Sequence, residues 1–434
     1  MGTQAEPSLP SDLLEVDWEL LGTRNARVRS SYHWYPQQGR HEIAGILIGC
    51  LSDRGALVLD PCCGIGNTLV EAKRQGREPI GGDVNPVASL VTNARLLGKD
   101  KKQWNDYVET LRERIAHHLV TRSFDAENAN FSIPNYSENR LWYHEETFDE
   151  LFALWKAICD IKSPYALVAE ATFSAILRSV SSQRGPANRI ADNCRPIILK
   201  YRPVVGLFFA QLHDYFPDAA EKTEENEDSQ LHPAWVQPGA TALAALPEAF
   251  VDLVITHLPE LGAVDYVRSQ RLTSLWFGWD VNEYASAEIG ARYRHRRAAA
   301  LTEYYRALDE IFTEIARVVK PRRWCALILS PAFHRKQMTI ELSRIMSYRN
   351  FEIIARLGGR RGRGDITGQH DTPREEIIVA WRKDLVACMR HLFVLWVSAG
   401  SSRISLERDI LAMFATSVTT ARYGLSRQVV GTSQ

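Results

Sequence analysis

A short apolar run that ends in an acid and breaks at once into a glycine turn sets the frame for this chain. Ala56-Leu57-Val58-Leu59-Asp60 runs into Pro61-Cys62-Cys63-Gly64-Ile65-Gly66-Asn67-Thr68, and Thr68–Gln75 then has helical spacing. A second short run, Pro79-Ile80-Gly81-Gly82-Asp83, also ends in an acid, and Val87–Leu97 reads as the next helix. Strand, glycine turn, helix, strand, helix is the opening of a parallel α/β sheet, since parallel neighbours need a crossover and the crossover here is helical. Gly64 and Gly66 lack the side chains that would hold a ligand away from backbone N–H groups. An acid ending the second strand can accept both hydroxyls of a ribose. Asp83 lies 23 residues beyond Asp60, close to the interval of about 20 expected of such an acid. A pair of glycines that merely makes a tight turn is the plain alternative, and the strand–helix setting with its acid argues against it. No Gly-Lys-Ser/Thr follows, which excludes a P-loop.

His41–Ser52 reads as a helix before the first strand. From about residue 99 to 220 the pattern turns mainly helical, with Lys101–Leu119 and Thr147–Ile161 carrying apolar residues at helical spacing. Glu221–Asp228 is a dense acidic run, read as a solvated linker. The α/β pattern then resumes: a strand over Ala249–Ile255, an amphipathic helix over Thr302–Val319, a strand over Cys325–Leu329 and a last strand over Ile377–Trp381. The predicted organisation is an N-terminal arm (1–29), an α/β core (30–98 and 230–383), a helical insertion (99–229) and a C-terminal helical tail (384–434).

Lysine plus arginine and aspartate plus glutamate both number 52, so a polyanionic partner would have to meet a local patch. The seven cysteines stand at 50, 62, 63, 159, 194, 325 and 388, without CxxC spacing, and the adjacent pair cannot bridge itself. A reducing, cytoplasmic setting and no metal site are expected. The N-terminus has no basic-then-apolar signal, and the apolar stretch Leu385–Val397 is too short for a bilayer and broken by Arg390 and His391, so no membrane partner is expected.

Asp60 through Ala72 resembles the motif I loop of the amino-group DNA methyltransferases, which act on adenine N6 or cytosine N4 and carry Asp-Pro-Phe-x-Gly-Ser-Gly-Thr-Thr there. Tyr32-His33-Trp34-Tyr35-Pro36 resembles the family's His-x-Tyr-Pro element, which packs over the methionine end of the cofactor. Gly82-Asp83-Val84-Asn85-Pro86-Val87-Ala88 resembles its ribose-holding segment, and Tyr305–Pro321 its late helix-turn. The resemblance spans about 30–98 and 235–382 and reaches Ala169–Arg184 faintly. It implies a Rossmann-like S-adenosylmethionine-dependent methyltransferase sheet with a mainly helical insertion. The implied cofactor is S-adenosylmethionine, held by Tyr35, Pro36, Asp60, Pro61, Cys62, Gly64, Gly66, Thr68, Asp83 and Asn85. The implied partner is double-stranded DNA with its target base flipped out; a homodimer or a partner subunit is left open.

In that family the catalytic loop is Ser/Asp/Asn-Pro-Pro followed by an aromatic residue. Its acceptors draw the amine nitrogen toward a tetrahedral geometry, and its ring stacks on the base. Here Val251–Thr256 leads into His257-Leu258-Pro259-Glu260. Alignment on Pro259 puts His257 at the polar position, Leu258 at the first proline and Glu260 at the aromatic. His257, Pro259 and Glu260 are the expected catalytic-loop residues, with His257 as acceptor or base. The family's Gly-Asp-Ala, whose acid reads the cofactor adenine, corresponds to Pro238-Gly239-Ala240, which has no acid.

For contact with nucleic acid the expected residues are Tyr266 and Arg268, the basic run containing Arg294, Arg296 and Arg297, and the Gly/Arg loop containing Arg360, Arg361 and Arg363. The polar stretch Ser179–Arg189 could also meet DNA. The leading reading is a DNA methyltransferase acting on an exocyclic amine. A catalytically silent homologue that binds DNA or a partner subunit, and an RNA methyltransferase, stand beside it. A nicotinamide-dependent dehydrogenase is disfavoured, because Asn67-Thr68-Leu69 follows the turn where GxGxxG would continue.

Overall fold

The computed structural model describes residues 8–18, 32–36, 41–98, 100–121, 132–183, 196–214, 235–236, 241–329, 335–358 and 376–384. Among the described residues seven strands form one sheet: β1 (Leu57–Asp60), β2 (Glu78–Asp83), β3 (Trp235–Val236), β4 (Val251–His257), β5 (Val319–Leu329), β6 (Phe351–Gly358) and β7 (Glu376–Arg382). Their order across the sheet is β3-β2-β1-β4-β5-β7-β6. The pairs from β3 to β5 are parallel, and β7 runs antiparallel to both β5 and β6. This is the Rossmann-like α/β sheet that the opening motif predicts. The chain builds outward from β1 through β2 to β3, then returns to place β4 on the other side of β1. That reversal opens a crevice beyond the carboxyl ends of β1 and β4, where α/β sheets bind ligands.

Helices cover both faces because the strands are apolar on both. The helix His41–Leu51 lays Ile43, Leu47 and Ile48 against Val58, Ile255, Ile328 and Val379. On the opposite face, Ala300–Val318 buries Tyr304, Leu308, Ile311, Phe312 and Ile315, a three-and-four spacing that makes one stripe, against Leu59, Val254 and Leu327. Each such side chain, fully buried, contributes about 1.5–3 kcal/mol of transfer free energy.

Helices Lys101–Val120, Glu145–Asp160, Ala166–Val180 and Val205–Asp214 occupy the stretch between β2 and β3. Their apolar faces share one cluster with Tyr32, Tyr35, with Val87 to Ala94 of the helix Pro86–Leu96, and with Leu272, Leu275 and Trp276. That core therefore reaches the edge of the crevice. The compact unit ends at Arg382.

The strands depart from the sequence reading in several places: β3 was not anticipated, and β4 begins at Val251 instead of Ala249. β4 runs two residues beyond Ile255, so His257 is the last strand residue, in register with Ile328, rather than part of the following loop. β5 begins at Val319, well before Cys325. Ile377–Trp381 lies within β7, the last strand among the described residues, and the unanticipated β6 pairs on its outer side. The polar stretch Ser179–Arg189 is described only as far as Gln183, and Leu385–Val397 and the rest of the C-terminal tail lie outside the described residues. No helix among the described residues is long and apolar enough to cross a membrane.

Candidate active site

Three strands end on the crevice, each with a residue able to act there: β1 with Asp60, β2 with Asp83 and β4 with His257. They line one open cleft together with Tyr35, Pro61, Cys62, Gly64, Thr68, Pro259 and Tyr266.

The glycine turn is fixed through its N–H groups as well as its carbonyls: Cys63 N–H donates to the Gly82 carbonyl at 3.0 Å and Gly66 N–H to the Cys63 carbonyl at 2.8 Å. The Gly64 carbonyl accepts from Thr92 Oγ1 at 2.9 Å. The Ile65 carbonyl accepts from Arg95 Nη1 at 2.6 Å, and that same nitrogen reaches Asn67 Oδ1 at 2.7 Å. Thr92 and Arg95 lie three apart on the helix Pro86–Leu96, hence on one face. Gly64 and Gly66 have φ of +52° and +81°, which only glycine adopts at little cost. A Cβ built on Gly64 would stand 3.5 Å from the Tyr35 ring, across the cleft.

Asp83 accepts the Gly64 N–H on Oδ2 at 2.9 Å and the Asn85 N–H on Oδ1 at 2.8 Å. One lone pair on each oxygen remains for a hydroxyl pair. Asn85 caps the next helix by accepting the Val87 N–H at 3.1 Å, with Pro86 at the first helical position. Its amide nitrogen donates to Tyr35 Oη at 3.3 Å and to the Tyr266 carbonyl at 3.2 Å. Tyr35 and Tyr266 stack at 5.8 Å between ring centroids. Pro36 follows Tyr35, half-buried. Asp60 accepts from the Cys62 N–H at 3.1 Å and from Thr256 Oγ1 at 2.8 Å, so it braces the turn from below. Burial pushes Asp60 up to about 6 against hydrogen bonds from Thr256 and Thr68, and pushes Asp83 up to about 6 as well.

Burial lowers His257 to about 4, so near neutral pH its imidazole is uncharged and can accept a hydrogen bond. Pro259 follows in the cleft wall, and its carbonyl accepts from Tyr304 Oη at 2.9 Å. Glu260 is buried. Glu288, which the sequence reading did not single out, also lines the cleft. Its carboxylate accepts the Tyr266 N–H at 2.8 Å and the Val267 N–H at 3.1 Å, and burial raises it to about 7. It thereby fixes the segment that carries the Tyr266 ring.

The His-x-Tyr-Pro element is tied to the helices. Tyr32 Oη donates to the Val168 carbonyl at 2.8 Å. His33 Nδ1 lies 2.8 Å from the Trp34 carbonyl, which can only accept, so Nδ1 carries the proton of the neutral ring. Nε2 then accepts from Ser174 Oγ at 2.7 Å, and Ser174 accepts from Thr273 Oγ1 at 2.8 Å. Burial lowers His33 to about 4, which keeps that order of donors intact near neutral pH.

The expected nucleic-acid residues separate. Arg268 lies over the Tyr293 ring at 3.8 Å, close beside the cleft. Arg294 instead turns inward: it donates to the Ser286 carbonyl at 3.0 Å and to the Glu288 carbonyl, because these acceptors lie under its own turn. Arg296 and Arg297 are exposed. Arg360, Arg361, Arg363 and Pro238-Gly239-Ala240 lie outside the described residues. Among the described residues, no group of three or more His, Cys, Asp or Glu is placed to hold a metal ion.

No family model matches the chain. In sequence it is similar to the type II methyltransferase M.MvaI of Kocuria varians, 22% identical over 365 residues, covering 70% of this chain and 77% of that protein. Among solved structures, a TehB-like SAM-dependent methyltransferase from Corynebacterium glutamicum is 9% identical with a TM-score of 0.28, covering 78% of this chain and 87% of its own. A SAM-dependent methyltransferase from Methanosarcina mazei is 10% identical with a TM-score of 0.28, covering 81% and 99%. Scores this low leave the strand order of the chain itself as the ground for its fold. Strand order, glycine turn and the acid that ends β2 together form the Rossmann-like sheet and crevice that the sequence predicts.

Proposed function

We propose that this chain is an S-adenosylmethionine-dependent DNA methyltransferase that acts on an exocyclic amine, cytosine N4 or adenine N6. The observation that carries the reading is the convergence of the glycine turn, Asp83 and the His257–Pro259 segment on one cleft. The residues fit the cofactor: a side chain at position 64 would reach the Tyr35 ring across the cleft, and Asp83 keeps a lone pair on each oxygen for the ribose hydroxyls. Tyr35, Pro36, Asp60, Pro61, Cys62, Gly64, Gly66, Thr68, Asp83 and Asn85 would surround it. S-adenosylmethionine supplies a methyl group on a sulfonium, an electrophile for the lone pair of an amine.

In this reading the chain's own work is to free that lone pair. His257, neutral, accepts one amine hydrogen. Tyr304 fixes the Pro259 carbonyl, and Glu288 fixes the loop of Tyr266, so the aromatic wall stays where the base must enter. Tyr304→Phe keeps the ring but removes the donor. It is expected to cost about 1 kcal/mol of stability and to lower turnover roughly tenfold, a barrier change of about 1.4 kcal/mol. The affinity for cofactor should be unaltered, and equal turnover in a steady-state assay would show that the carbonyl needs no fixed direction.

The loop chemistry favours a second reading, a silent homologue that binds DNA or a partner subunit, because Leu258 and Glu260 stand where the family has a proline and the stacking ring. The experiment that separates them pairs calorimetric binding of S-adenosylmethionine with transfer of a tritiated methyl group to mixed-sequence DNA. Binding with transfer that His257→Ala abolishes supports the enzyme. Binding without transfer, to DNA or RNA, supports the silent homologue. Transfer to RNA alone would replace DNA as the substrate.

A further inference from the structure

We infer that the basic turn 292–297, seated on the segment that follows Pro259, is a phosphate clamp for the duplex DNA that delivers the target base. The inference rests on the methyltransferase reading above and adds the surface that holds the substrate's backbone beside the cleft. The turn has four arginines in six residues: Arg292, Arg294, Arg296 and Arg297. Arg294 donates inward to the Ser286 and Glu288 carbonyls and so anchors the turn. Arg292, Arg296 and Arg297 are exposed. Among the described residues no carboxylate pairs with any of these three. In a chain whose charges balance overall, such a concentration is local and directional.

The seat of the turn is built from backbone contacts. Gly262 N–H donates to the Gly290 carbonyl at 2.7 Å, and Arg292 N–H to the Val264 carbonyl at 3.0 Å. Tyr293 N–H donates to Asp265 Oδ1 at 2.8 Å, and Tyr293 Oη to the Ala285 carbonyl at 3.1 Å. Gly262 has φ +76°, and a Cβ built there would stand 3.0 Å from His295 Cβ, so the turn lies as close to this segment as a glycine permits. Arg268, over the Tyr293 ring at 3.8 Å, joins the turn to the helix Tyr266–Ser269. Gly262 follows Pro259 of the cleft wall by three residues, and the same segment leads into Tyr266, whose ring stacks on Tyr35. A nucleotide turned out of its stack brings its flanking phosphates to the mouth of the pocket that takes the base. The turn is fixed beside that mouth, and a clamp already held by the fold loses little freedom on binding.

The acids nearest the turn are engaged elsewhere, which leaves its charge uncompensated. Asp265 is buried and holds the Tyr293 N–H; Glu288 is buried and holds the N–H groups of Tyr266 and Val267. Arg297 shares a hollow with Glu303 and Glu310 of the helix Ala300–Val318, but Glu310 lies 4.0 Å from Arg306 and neither acid is ion-paired with Arg297. Like charges gathered in one turn repel each other, and an anionic strand relieves that repulsion. The guanidinium fork matches the paired oxygens of a phosphate, and a DNA strand repeats that group at about every 3.4 Å of axis.

The test uses the full chain and fluorescence anisotropy with a mixed-sequence duplex of roughly 30 base pairs, titrated across about 50–200 mM salt. The triple variant Arg292→Gln/Arg296→Gln/Arg297→Gln is expected to bind at least about tenfold more weakly, with a salt slope smaller by about three, one for each phosphate no longer neutralised. The weakening should be the same for unrelated sequences. Arg292→Lys/Arg296→Lys/Arg297→Lys keeps the charge and should keep most of the slope. A matched variant, Lys101→Gln/Lys102→Gln/Arg114→Gln, removes the same charge from exposed positions on the helix Lys101–Val120 and should bind the duplex as the wild type does. Calorimetric affinity for S-adenosylmethionine should be unchanged in all three, which also reports that they are folded. A glutamine triple variant with wild-type affinity and slope overturns the clamp while leaving the DNA reading intact. Equal weakening in the matched variant does the same, because the loss would then follow net charge and not place. A wild-type chain that binds cofactor but no duplex overturns both. Binding to an RNA hairpin in preference to the duplex, abolished in the glutamine variant, reassigns the turn to RNA and overturns the proposal as made.

Discussion

Asp83→Ala is expected to weaken S-adenosylmethionine binding by at least about a hundredfold, read by calorimetry near neutral pH. Each carboxylate oxygen already accepts one backbone N–H, from Gly64 or Asn85, and each has a lone pair left for one ribose hydroxyl. Hydrogen bonds to a charged acceptor contribute about 1.5–3 kcal/mol apiece, and every 1.4 kcal/mol or so is tenfold in affinity. The truncation also releases the turn that the carboxylate organises. Unchanged affinity would remove Asp83 from the site. The same group sets a pH dependence. Its value in the free protein is about 6, and a complex that needs the ionised acid should weaken as pH falls through 6, with proton uptake opposing binding. Stability responds the other way. Asp60 and Asp83 both rise from 3.8 to about 6 on folding, so the folded chain holds protons that the unfolded chain has released. Their joint contribution is most favourable below about pH 4, declines as pH rises toward 6, and above that Asp60 alone costs about 3 kcal/mol.

Gly66→Ala should be among the most damaging single-methyl changes in the chain, lowering stability by about 2–5 kcal/mol in chemical denaturation. The physical reason is double. At φ +81° a Cβ is strained wherever it points. It also points at Thr92, whose Cγ2 would lie 2.6 Å away and whose Oγ1 would lie 2.8 Å away. Thr92 cannot turn aside freely, because that hydroxyl donates to the Gly64 carbonyl. Combining the change with Thr92→Ala removes the collision but not the strain. A double-mutant cycle should therefore show a favourable coupling of roughly 1–2 kcal/mol. Zero coupling would mean that the backbone, not the collision, carries the whole penalty.

The floor of the site was legible because it is made of local demands. A strand that must stop, a turn that needs glycine and an acid at the next strand end are visible as Asp60, Gly64, Gly66 and Asp83 without any knowledge of what lies opposite. Asn85-Pro86 likewise announces a helix start. The walls were legible only in part: Tyr35, Pro259 and Tyr266 stood out in the sequence and line the cleft, but the contacts that hold them are meetings between distant segments. Nothing in the run Ala287-Glu288-Ile289 marks Glu288 as the cap of a helix that begins at Tyr266. Thr92 and Arg95 show helical spacing, but the spacing does not say that they meet the carbonyls of Gly64 and Ile65. β6 escaped notice because Glu352 and Arg356 interrupt its apolar residues and a glycine–arginine run follows it, so a paired edge strand reads like a loop. Arg294 sits in the most conspicuous basic run and spends its donors on its own turn, while Arg178, in an ordinary helical context, lies over Trp34. Density of charge in sequence therefore does not tell which of its guanidinium groups face outward.

The chain from His33 through Ser174 to Thr273, with Tyr32 held by Val168, bears on how such a protein can be rebuilt. One wall of the cleft is suspended from the helices between β2 and β3 instead of standing on the sheet. Those helices are consequently not an interchangeable cassette: a chimaera that imported foreign ones in their place would sever every one of these bonds. A successful transplant would have to carry residues 32–36 and the helix Arg271–Phe277 with it, three pieces far apart in the chain that behave as a single inherited part.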